Sequence, residues 1–72
     1  MSAVIYLDEV AEFLATRPMV EDVLSFHPSD EVEARFKELL EGQRLGTLSD
    51  EEHVELEQFQ QTEMLVRLLK AR

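Results

Sequence analysis

The sequence predicts an all-α protein, a small bundle of three to four helices built around a C-terminal antiparallel αα-hairpin over residues 30–72. Three observations lead there. Apolar residues recur at helical spacing through most of the chain. Ser49 and Glu52 form a capping box immediately before a long periodic run. Pro18, Pro28 and Gly46 stand where helices would start and stop.

The first helix is the least determined. Tyr6, Leu7, Val10, Phe13 and Leu14 gather on one helical arc, while Val4 and Ile5 fall off it. Residues 3–7 are therefore either helical or extended. A helix over about 3–15 is favoured, because a lone strand would have nothing in the chain to pair with. Thr16-Arg17-Pro18 then marks a boundary and opens a short second helix, about 18–25, with Met19, Val20, Val23 and Leu24 as its apolar pairs.

The third helix starts at His27-Pro28-Ser29-Asp30-Glu31. Proline breaks what precedes it, Ser29 caps, and the acids suit the positive end of the helix dipole. Val32, Phe36, Leu39, Leu40 and Gln43 form one narrow stripe, with Glu31/Arg35 and Glu33/Lys37 as i,i+4 pairs on the opposite side. Arg44 and Gly46 end it. Leu48 precedes the Ser49–Glu52 box at the staple position, and Arg67, Lys70 and Arg72 lie at the negative end of the last helix. The short connection makes these two helices neighbours.

That last helix carries more apolar surface than one stripe needs. Val54, Leu65, Leu68 and Leu69 share a face with Gln58 and Gln61, which can pack on the preceding helix. Leu56, Phe59 and Val66 point elsewhere, Leu56 and Phe59 roughly 100° or more around the cylinder. This second set needs the N-terminal segment or another chain. With the acidic run Glu51, Glu52 and Glu55 beside it, it is the candidate partner interface.

Composition narrows the function. The 72 residues make one domain near the lower limit for a self-sufficient core. With no cysteine, disulfides and thiolate zinc sites are closed to it, which leaves a partner chain as the expected support. Sixteen acidic against seven basic residues give a net charge of −9. Such a surface repels phosphate backbones and anionic membranes and attracts basic proteins. No direct nucleic-acid or membrane binding is expected, and without a signal-like N-terminus the chain reads as cytoplasmic.

No constellation for catalysis emerges. His53 has Asp50 at i−3 and Glu57 at i+4, but the pattern occurs once, in a first turn where acids serve the dipole. A carboxylate–histidine metal protein is thus a distant third reading. His27 sits in a turn before a proline. Ser25, Ser29 and Ser49 lack a neighbouring base, and two of them stand where caps are needed. Gly42 and Gly46 belong to a helix end rather than a phosphate loop. The expectation is a protein that is not an enzyme, with no cofactor and no metal.

Several stretches also carry a resemblance. They are Val10-Ala11-Glu12-Phe13-Leu14-Ala15-Thr16-Arg17-Pro18, Val23-Leu24-Ser25-Phe26-His27-Pro28-Ser29, Leu39-Leu40-Glu41 through Gly46-Thr47-Leu48-Ser49-Asp50-Glu51-Glu52, and Met64 through Arg72. Together they span nearly the whole chain, and it resembles a family of short acidic bacterial proteins frequent in cyanobacteria. It departs from the pattern at His27, where arginine is expected, and at Gln58-Phe59-Gln60-Gln61, which replaces a more acidic stretch. Relatives lie beside genes for small nucleases, as in toxin–antitoxin pairs. The resemblance implies a non-enzymatic, antitoxin-like partner protein that inhibits a basic partner such as a nuclease. The alternative is a homo-oligomeric structural protein whose surplus apolar face is covered by its own copies.

Overall fold

The computed structural model describes residues 4–71. They form four helices and, among the described residues, no strand: α1 Val4–Ala15, α2 Val20–Ser25, α3 Asp30–Leu45 and α4 Asp50–Lys70. The all-α bundle expected from the periodicity is what forms. Helix wins over the extended alternative from Val4 onward, and the predicted start at Ala3 lies outside the described residues.

The predicted caps form as local chemistry dictates. Ser49 Oγ accepts from the Glu52 N–H at 3.1 Å, and Glu52 Oε1 accepts from the Ser49 N–H at 3.0 Å. Ser29 Oγ accepts from the Val32 N–H at 3.2 Å. Gly46 terminates α3 in the left-handed region, φ 73°, where a side chain would be strained. Leu48 folds back so closely over Gly42 that a Cβ there would collide with Leu48 Cδ2. Alanine at position 42 would force the Leu48 side chain to shift. Arg17, at φ 55°, takes the same left-handed role after α1 without glycine's freedom. Helix α2 begins at Val20, two residues after Pro18, and the Asp22 carboxylate accepts from the Met19 N–H at 3.0 Å.

α4 is the axis of the bundle: α1, α2 and α3 all pack on it. The core is formed by Tyr6 and Val10 from α1, Val32 and Leu39 from α3, and Leu56, Phe59 and Val66 from α4. Tyr6, Phe36 and Phe59 meet edge to face, with ring centroids 5.6–6.4 Å apart. Phe13 of α1 and Phe26, just after α2, lie 4.6 Å apart and hold α2 to the rest.

Tertiary packing corrects several expectations. On α4 the two faces exchange roles. Leu56, Phe59 and Val66, expected to be covered by the N-terminal segment or by another chain and named as the candidate partner interface, are buried in this chain's own core with Tyr6 and Val10 of α1. Val54, Leu65 and Leu68, expected to face α3, are 55%, 38% and 52% exposed. The helices α1, α2 and α3 all pack on α4, and the Phe59 ring meets those of Tyr6 and Phe36 there. On α1, Leu7 and Leu14 face out, while Ile5 packs against the core. On α2, Met19, Val20 and Leu24 are exposed, and Val23 alone of its apolar pairs is half-buried. On α3, Arg35 does not lie on a solvent face with Glu31; it turns inward to α4.

Candidate functional site

Three polar contacts lock the bundle and decide which acids remain at the surface. Arg35 grips Glu55 with two parallel bonds, Nε to Oε2 at 2.9 Å and Nη2 to Oε1 at 2.7 Å. It also donates to Glu38 and approaches Glu52 at 3.5 Å. Hydrogen bonding to Glu55, then to Glu38, raises the guanidinium pKa still further above its ordinary value. Glu55 is 6% exposed, so α3 pairs a carboxylate that would otherwise be buried at high cost. The Tyr6 hydroxyl donates to Glu63 Oε1 at 2.5 Å, joining α1 to α4. Burial first, and Glu63 second, push the phenol pKa well above its usual value. Glu9 accepts from both the N–H and the hydroxyl of Ser29, at 2.9 and 2.6 Å, tying α1 to the start of α3.

The residues expected to form the partner interface therefore divide. Leu56, Phe59 and Val66 are core, and Glu55 is sealed against Arg35. Glu52 serves the cap, and the Ser49 backbone N–H holds its carboxyl below the usual range. Glu51 remains fully available, and Glu57 is exposed with it. His53 is exposed on α4, and the His27 ring sits 3.0 Å from the Pro28 carbonyl. Among the described residues, no three His, Asp or Glu side chains are grouped so as to hold a metal ion.

What α4 presents instead is the other apolar set. Val54, Gln58, Gln61, Leu65 and Leu68 are all exposed and follow one another at steps of 4, 3, 4 and 3. At 100° per residue they fall within an arc of about 80°, and at 1.5 Å rise the row is about 21 Å long. Glu51 and Glu57 flank it on opposite sides, each about 60° from its centre line. No helix among the described residues is long and apolar enough to cross a membrane.

The row was visible in the sequence; its exposure was not. Neither the Tyr6–Glu63 nor the Arg35–Glu55 contact left a sequence signal, since the partners stand 57 and 20 residues apart. Compared with family models, with curated protein sequences and with solved structures, the chain matches none.

Proposed function

We propose that this chain is a non-enzymatic protein-interaction module that docks on a basic partner through the exposed row of α4. An antitoxin-like inhibitor of a small nuclease is the form that the resemblance implies. The observation that carries the reading is the row itself. Val54, Leu65 and Leu68 are apolar side chains held out on a helix whose Leu56, Phe59 and Val66 already supply its share of the core. Apolar anchors of this kind supply the desolvated centre of an interface. Glu51, Glu57 and a net charge of −9 supply attraction to a cationic rim and faster encounter.

The test is titration of the chain into a small basic nuclease, starting with any encoded beside its gene. Stoichiometric inhibition that weakens with salt is expected. The double variant Leu65→Glu, Leu68→Glu should keep its helical signal and lose at least about tenfold in affinity, as for loss of interface anchors worth more than 1 kcal/mol. Unchanged inhibition by that variant would refute the surface assigned here.

One observation favours a second reading, self-association along the same row. Val54-Gln58-Gln61-Leu65 reads apolar, polar, polar, apolar in either direction. Two antiparallel copies would set Gln58 of one against Gln61 of the other and Val54 against Leu65. Polar seam residues specify such pairing at a cost in stability. Sedimentation equilibrium separates the readings: a micromolar dimer abolished by Leu65→Glu selects this one.

A further inference from the structure

On the side of α4 away from the exposed row, an open groove of about 510 Å³ runs between α3 and the C-terminal half of α4. Its floor is apolar, with Tyr6, Phe36 and Val66 at the base and Leu40, 43% exposed, further along α3. Its rim is cationic, with Lys37 from α3 facing Arg67 and Lys70 from α4. Three of the chain's seven basic residues thus collect around one groove of a protein that is acidic elsewhere. Of the two carboxylates present, Glu63 is already engaged by the Tyr6 hydroxyl at 2.5 Å and by Arg67 Nε at 3.5 Å. Glu33 stands one turn before Lys37 on α3. Lys37 and Lys70 form no ion pair among the described residues.

We propose that this groove receives an amphipathic helix from a partner protein, with acidic residues flanking its apolar face. The groove is open to solvent, and Phe26, His27 and Pro28 line it beside the α3 and α4 walls. Along α3 it extends from Glu33 to Leu40, about 10 Å, the reach of anchors at i, i+3 or i+4, and i+7 on a docked helix. Phe36, Leu40 and Val66 take the anchors, and Lys37 and Lys70 take the carboxylates on either flank. The partner is opposite in charge to the one proposed for the α4 row. Because the two surfaces face different sides of α4, one chain can hold both partners together.

The probe is a synthetic peptide with leucines at i, i+3, i+4 and i+7 and glutamates on both flanks, labelled for fluorescence anisotropy against the full-length chain. A control carries the same leucines with lysine flanks. The acidic peptide should saturate, and the Lys37→Glu, Lys70→Glu double variant should bind it about tenfold more weakly, as for inversion of one exposed and one half-buried charge contact. The milder Lys37→Gln, Lys70→Gln pair should fall between. Amide shifts in labelled wild-type protein should move at Lys37, Leu40 and Lys70. Three outcomes would overturn the proposal: no saturation by the acidic peptide, equal affinity in the charge-inverted variant, or shifts confined to Val54–Leu68. Self-association removed by Lys37→Glu, Lys70→Glu would also overturn it, by giving the groove to a second copy.

Discussion

Replacing Phe59 with alanine tests the assignment of α4's two faces most directly. Phe59 is fully buried and meets Tyr6 at 5.8 Å and Phe36 at 5.6 Å, both edge to face. Removing a buried phenylalanine from a packed core costs about 3–5 kcal/mol in lost transfer energy and cavity formation. Losing two edge-to-face partners places the expected cost in the upper half of that range, about 4 kcal/mol. A 72-residue domain has a total stability of about 4–11 kcal/mol at typical values per residue. Phe59→Ala should therefore remove between a third and all of the stability. Urea unfolding followed by far-UV circular dichroism measures this. With a slope of about 1 kcal/mol/M for a chain this small, the midpoint should fall by roughly 4 M, or the variant should be unfolded without urea. The comparison is Leu65→Ala, on the exposed row, which should cost less than about 1 kcal/mol. A Leu65→Ala cost equal to that of Phe59→Ala would refute the burial argument. It would return Leu56, Phe59 and Val66 to the role of a surface awaiting a partner.

Two further perturbations follow from the polar contacts. Tyr6 is the only tyrosine, so phenolate absorbance reports on it alone. A phenol whose folded pKa is raised stabilises the fold fully below its unfolded value, about pH 10. That stabilisation is lost as pH rises toward the folded value. Phenolate should thus appear only with loss of helix, and a reversible titration near pH 10 in folded protein would contradict the buried Tyr6–Glu63 contact. Ser49→Ala should lower stability by about 1 kcal/mol at neutral pH by removing the cap on α4. Because the Glu52 carboxyl is held below its usual range, the part it contributes is present above its unfolded pKa and fades as pH falls through the folded value. The gap between wild type and Glu52→Gln should therefore narrow in acid; a gap constant down to the lowest folded pH would show that the Glu52 carboxylate does not accept from the Ser49 N–H.

Local chemistry was legible in the sequence because its causes are local. Ser49 and Glu52 need only three residues between donor and acceptor to close a box, and they do. Gly46 ends α3 because its own backbone tolerates φ 73°. The all-α class followed from periodicity, which is likewise a property of short windows. Even the α4 row could be read as a row.

Which face of α4 would be covered was decided only by tertiary packing. Both faces carry enough apolar residues to look like a core, and hydrophobic burial has no direction of its own. The choice fell to the packing of α1, α2 and α3 on α4, brought together by contacts distant in sequence. Tyr6 reaches Glu63, Glu9 reaches Ser29 and Arg35 reaches Glu55. Once those helices have closed over Leu56, Phe59 and Val66, the aliphatic row is left outside by default. The groove between Lys37 and Lys70 arises in the same way. Its two walls lie on different helices, so the gathering of positive charge in an acidic chain exists only after α3 and α4 have packed.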